Sequence, residues 1–114
     1  MSKRRPTAKQ LLARDKFLQR LVARMEDYGA QQVILFGSRA RGDNDRYSDY
    51  DIAIVKQTNL RFVERLTEVV KYIYDLGKAV EIFVYTPEEL LDMEHYDWGE
   101  MLKREGIVIY SKAI

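Results

Sequence analysis

The sequence predicts a two-layer α/β domain of the α+β kind, a small mixed β-sheet with helices packed on one face. Three observations predict it. Apolar residues recur at helical spacing before residue 29, again between residues 60 and 73, and again after residue 90. Short apolar runs of strand length lie near residues 31–36, 50–55, 79–85 and 107–110. The order of elements is therefore helix, strand, turn, strand, helix, strand, helix, strand, and such a series buries its apolar faces as a sheet under helices.

Residues 1–6 read as a short basic tail and residues 7–114 as one domain. Thr7-Ala8-Lys9-Gln10 has the form of a capping box, in which each end side chain accepts the other's backbone N–H. The helix it opens gathers Leu11, Leu18, Leu21, Val22 and Met25 on one face and is expected to stop at Gly29. Arg14, Lys16, Arg20 and Arg24 fall mainly on its solvated side. Residues 31–36 form the first strand and residues 50–55 the second, with Asp43, Asn44 and Asp45 supplying turn chemistry between them.

Thr58 or Asn59 can cap the next helix, expected to run to Leu76 and close at Gly77. Leu60, Val63, Leu66, Val69, Val70 and Ile73 make its apolar stripe, and Tyr72 and Tyr74 beside it are candidates for a partner surface. In the third strand Val80, Ile82 and Val84 face one way, and Glu81, Phe83 and Tyr85 the other. Thr86-Pro87-Glu88-Glu89 is a second capping box with Pro at the first helical position. Leu90, Leu91 and Met93 open that helix, residues 95–99 interrupt it, and Trp98, Met101 and Leu102 continue it to Gly106, before a short last strand at a sheet edge. His95, the only histidine, reads as a surface or structural residue.

At 114 residues the chain suits one domain with a modest core. No apolar run approaches the roughly 20 residues of a membrane span, and no signal-peptide pattern follows the basic start, so a cytoplasmic location is expected. With no cysteine, disulfides and thiolate metal sites are excluded. Net charge is only +1, but residues 1–46 carry 11 Lys/Arg against 5 Asp/Glu and residues 47–114 carry 8 against 13. The basic half suits a polyanionic ligand. It carries no aromatic stacking motif or recognition helix, so direct nucleic-acid binding is not the favoured reading.

The chemistry concentrates in residues 36–51. Phe36-Gly37-Ser38-Arg39-Ala40-Arg41-Gly42 leads through a polar loop to Asp49-Tyr50-Asp51. Alternation along a strand points Asp49 and Asp51 the same way, with Cα atoms roughly 6.6 Å apart. Two carboxylates so placed suit Mg²⁺, which takes hard oxygen ligands and shares them with substrate phosphate. Gly37 lets backbone approach a ligand, Ser38 adds a hydroxyl, and N–H groups opening a helical turn attract an anion. Arg39 and Arg41 are candidate phosphate ligands because guanidinium matches phosphate bidentately. Tyr50 faces the other way and reads as packing. Glu81, an acid within an apolar strand, would be costly to bury unpaired, and a neighbouring cation would remove that cost.

Gly37-Ser38, ten residues, then Asp49-x-Asp51 resembles the signature of the DNA polymerase β nucleotidyltransferase superfamily. In length the chain is most similar to its minimal nucleotidyltransferases (MNT), many of which are antitoxins paired with HEPN-domain toxins. The resemblance extends to the third acidic strand and to Lys103-Arg104-Glu105-Gly106-Ile107-Val108-Ile109-Tyr110. It implies the nucleotidyltransferase fold, with Asp49, Asp51 and Glu81 as catalytic metal ligands for a pair of Mg²⁺ ions. Glu81 stands where the family usually has Asp. Gly37 and Ser38, with Arg39 and Arg41, would hold the nucleotide. The implied activity is a protein adenylyltransferase that moves AMP from ATP to a hydroxyl on a HEPN ribonuclease toxin; the alternative is an antitoxin that masks the toxin by contact alone.

Overall fold

The computed structural model describes residues 5–112, so residues 1–4 of the expected tail lie outside it. Four strands, β1 (Gln32–Phe36), β2 (Tyr50–Val55), β3 (Val80–Tyr85) and β4 (Ile107–Ser111), form one sheet in the order β3-β2-β1-β4. β1 is antiparallel to both β2 and β4, while β2 and β3 run parallel, so the sheet is mixed as expected and β4 is an edge. A parallel pair requires a crossover. Here α4 (Phe62–Ile73) provides it. The register sets Phe36 opposite Asp51 and Asp51 beside Glu81.

On one face lie α1 (Ala8–Arg14), α2 (Lys16–Tyr28) and α4. Leu18, Leu21 and Met25 of α2 are fully buried against Val33, Leu35, Ile52, Ile54 and Val84. Each such leucine contributes about 1.5–3 kcal/mol. The opposite face, expected to be open, also receives helices: α5 (Pro87–Met93) and α6 (Asp97–Glu105) bring Leu90, Met93, Trp98, Met101 and Leu102 against Ile34, Phe36, Ala53, Val55 and Tyr85. The runs Val33–Phe36 and Ile52–Val55 are apolar without alternation, as strands covered on both sides are.

Two helices depart from the expected outlines. The first is broken at Asp15, whose extended backbone (φ −108°, ψ 102°) ends α1 and caps α2 by accepting the Leu18 N–H at 3.1 Å. The capping box of Thr7 and Gln10 and the stop at Gly29 are present. The second, α4, begins at Phe62 rather than after Thr58, whose hydroxyl accepts the Leu60 N–H instead, and it ends at Ile73. Its buried residues are Arg65 and Val69, while Val63 and Val70 are 72% and 47% exposed. The expected stripe is therefore only partly the buried one. Arg65, which donates to Val84 and Glu89, takes an interior position beside Val69, and Val63 and Val70 lie outside.

Candidate active site

β1 delivers the chain to Gly37, where φ is 73° and ψ −157°, a conformation that residues with a Cβ avoid. A β-carbon there would stand 2.1 Å from the Asp51 Oδ2 and 3.2 Å from its Cβ. The turn thus lies directly against the carboxylate, as the pairing of Phe36 with Asp51 requires. The one-turn helix α3 (Ser38–Arg41) follows and is closed by Gly42. No side chain caps its start; the Ala40 and Arg41 N–H groups donate to the Gly37 carbonyl, while the N–H groups that open a helix have no intrahelical partner.

Asp51 and Glu81 are register neighbours on adjacent strands, roughly 4.8 Å apart. Burial raises the Asp51 carboxyl above the usual carboxylate range, and the charge and hydrogen bond of Glu81 and the charge of Asp49 add to it, while Arg41 opposes. Asp49 and Glu81 are exposed. The cost of burial invoked for Glu81 from its strand position therefore does not arise; its closeness to Asp51 is what draws attention to it. Among the described residues no three acidic or histidine side chains converge as a metal-holding group. The donor chemistry nonetheless fits a divalent cation, since hard oxygens that repel one another at Asp51 are relieved by a positive ion between them.

The two arginines of α3 part company. Arg41 stays on the carboxylate side, paired with Asp43 at 3.1 Å and Glu105 at 2.9 Å, and its charge reaches Asp51. Arg39 turns to the other face, donating to the Ser48 carbonyl at 3.0 and 2.8 Å and stacking 4.0 Å over the Tyr50 ring. It orders the loop before β2 and is not brought to the carboxylates. In that loop Asp45 accepts the Tyr47 N–H at 2.8 Å, the expected turn chemistry. Tyr50 is buried, packed on Phe17 and hydrogen-bonded to Asp15 at 2.8 Å. His95 is exposed.

Sequence reasoning missed three features. Arg5, read as tail, donates to the Ala40 carbonyl at 3.3 Å and to carbonyls of Arg104 and Glu105, joining α3 to the end of α6. Arg65 is buried and donates to Leu60, Val84 and, at 2.6 Å, to Glu89, tying α4 to the end of β3 and the start of α5. Beside Asp51 and Glu81, Phe36, Phe83, Tyr85 and Trp98 form an aromatic floor: the Trp98 ring meets Phe36 and Phe83 edge-on at 5.2 and 5.9 Å and its N–H donates to the Tyr85 hydroxyl. Only the alternation of Glu81, Phe83 and Tyr85 signalled that floor.

A glycine turn seated on a strand aspartate, with a second acid beside it, narrows the comparison with known proteins. The family described as "Nucleotidyltransferase domain" matches residues 14–105. The chain belongs to that family. Among solved structures, this nucleotidyltransferase domain is similar to a protein of Sulfolobus solfataricus described as a candidate nucleotidyltransferase, with a TM-score of 0.63, 22% identity, and coverage of 98% of this chain and 93% of that one. It is also similar to a chain in a toxin-antitoxin crystal structure with AMP-PNP, with a TM-score of 0.58, 19% identity, and coverage of 82% and 73%. At these identities the likeness is one of fold. No curated protein matches the sequence. Among the described residues no helix is long and apolar enough to cross a membrane.

Proposed function

We propose that this nucleotidyltransferase domain is a protein adenylyltransferase that carries AMP from ATP to a hydroxyl on a partner protein, and that it is the antitoxin of a HEPN ribonuclease toxin in the cytoplasm. The observation that carries the reading is the contact of Gly37 with Asp51, which joins a phosphate-sized turn to a carboxylate pair. Family membership supports nucleotidyl transfer. The toxin-antitoxin neighbour with AMP-PNP supports an adenine nucleotide and a toxin as partner, and the MNT resemblance supports a HEPN toxin. In this reading residues 7–114 act as one nucleotidyltransferase domain, and the partner presents the acceptor hydroxyl to it.

In this reading Gly37 and Ser38 hold the β and γ phosphates through backbone N–H groups and the Ser38 hydroxyl, with Arg41 beside them. Asp49, Asp51 and Glu81 would hold Mg²⁺, which when bound neutralises triphosphate charge and stabilises the entering and leaving oxygens. The acceptor oxygen attacks the α-phosphorus, the bond to the pyrophosphate oxygen breaks, and pyrophosphate leaves. Glu81 takes the proton from the acceptor hydroxyl. Asp51, seated against the Gly37 turn, would hold the cation beside the phosphates that the turn binds, so positioning supplies much of the acceleration.

The contact-only antitoxin has one observation in its favour, that the three acids do not converge among the described residues. Intact mass spectrometry of the co-purified complex with ATP and Mg²⁺ separates the two. Transfer predicts AMP-sized increments on the partner, absent with Asp49→Asn/Asp51→Asn; toxin neutralisation that survives in that folded variant would leave contact as the mechanism.

A further inference from the structure

A cleft of about 820 Å³ opens on the side of the sheet away from Asp51 and Glu81. Its floor includes Leu11, Phe17 and Tyr50, members of the core on the α1 and α2 face, whereas Asp51 pairs with Phe36 of the other face. Among the described residues five cations line it: Arg5, Arg14, Lys16, Arg39 and Lys78. Among the described lining residues Asp15 is the one acid, and both its oxygens are engaged, by the Leu18 N–H and the Tyr50 hydroxyl.

Among the described residues none of these five cations forms an ion pair, while Arg24, Arg41 and Arg65 each pair with a carboxylate. Arg5 and Arg39 donate to carbonyls, which fixes their guanidinium groups without cancelling charge. Like charges converging on a concave surface focus a positive potential, and an anion of matching charge is what relieves it. The volume is that of a small-molecule site rather than of a track along a polymer. Tyr50 lies between Arg39 and Phe17, and both aromatic residues are buried, so the cleft offers no exposed ring on which the bases of a single strand could stack.

We propose that this cleft is a second anion site, separate from the active site, which takes a compact phosphate-bearing polyanion, an oligophosphate or the triphosphate of a nucleotide. It does not depend on the adenylyltransferase reading. The two sites stand back to back across α3, whose first residue, Ser38, belongs to the turn and whose second, Arg39, belongs to the cleft.

The test is calorimetric titration of the full chain with inorganic tripolyphosphate in low salt and EDTA, in wild type and in Asp49→Asn/Asp51→Asn. Saturable binding at one site is expected, equal in the two proteins and weakening as salt rises. Lys16→Glu/Lys78→Glu reverses two exposed charges at the rim and is expected to weaken it about tenfold or more. Should that pair fold poorly by circular dichroism, Arg14→Gln alone is expected to weaken binding about threefold. ATP under the same conditions tells the source: tighter binding than tripolyphosphate assigns a nucleotide, weaker binding an inorganic chain. Absence of saturable binding, affinity indifferent to the rim variants, or loss of binding in the Asp49→Asn/Asp51→Asn protein would overturn the proposal. So would a single-stranded oligonucleotide that binds and that tripolyphosphate fails to displace.

Discussion

The missing side chain of Gly37 is the space in which the Asp51 carboxylate sits: a Cβ would come within 2.1 Å of Oδ2. Gly37→Ala must therefore push the carboxylate aside and also hold φ near 73°. We expect a folded protein destabilised by about 1–3 kcal/mol and a transfer rate reduced by roughly a hundredfold, since a shift of about 1 Å costs that much. Denaturant unfolding and the mass assay read the two effects, and undiminished transfer would show that the turn does not serve the carboxylate.

Glu81 carries its carboxylate one methylene further from the strand than Asp51 does. If it takes the proton, Glu81→Gln lowers the transfer rate by about 10²–10⁴-fold while nucleotide binding survives, and Glu81→Asp restores part of the rate. Stopped-time transfer assays beside equilibrium nucleotide titration distinguish this from a structural role, in which Gln would serve as well as Glu.

Tyr50 and Asp15 couple the break between α1 and α2 to the strand that bears Asp51. Burial, and then the hydrogen bond to Asp15, push the Tyr50 hydroxyl up to about 12. The folded value lies above the unfolded one, so the stabilisation is complete below about pH 10 and is lost as pH rises towards about 12. Tyr50→Phe should remove that part of the alkaline loss in melts across this window, and cost about 1 kcal/mol at neutral pH through the lost hydrogen bond. An unchanged alkaline slope in the variant would refute the assignment.

Val63, Val70 and Tyr74 lie exposed along the outer side of α4, at 72%, 47% and 78%. In the antitoxin reading this stripe is a natural place for the partner. Val63→Asp/Val70→Asp is expected to leave the melting temperature within about 2–4 °C of wild type, as surface changes do, and to abolish co-purification of the toxin. Retention of the complex would place the partner elsewhere.

What could be read in the sequence was what neighbouring residues decide. The turn at Gly37 and Ser38, both capping boxes and the pairing of hydrophobic runs into a mixed sheet all follow from local pattern. The break at Asp15 did not, because Asp is only mildly unfavourable inside a helix and its second partner, Tyr50, is 35 residues away. The face of α4 was misjudged for the same reason. Periodicity gives a stripe, but the Arg65 contacts with Val84 and Glu89 decide how that stripe is turned. Cover on the second face of the sheet had a signal in the unalternating runs of β1 and β2. The divergence of Arg39 and Arg41 also had one, since residues two apart on a helix do not share a side.

The parallel pairing of β2 with β3 has a consequence in time. Gly37 meets Asp51 through the antiparallel pairing of β1 and β2, joined by residues 37–49, whereas Glu81 reaches Asp51 only after the whole α4 crossover has folded back. Contacts of larger sequence separation form later because more chain entropy must be lost first. The two acids that meet in one site thus belong to different stages of folding, and a nascent chain whose third strand is still within the ribosome carries the phosphate turn without Glu81 beside it.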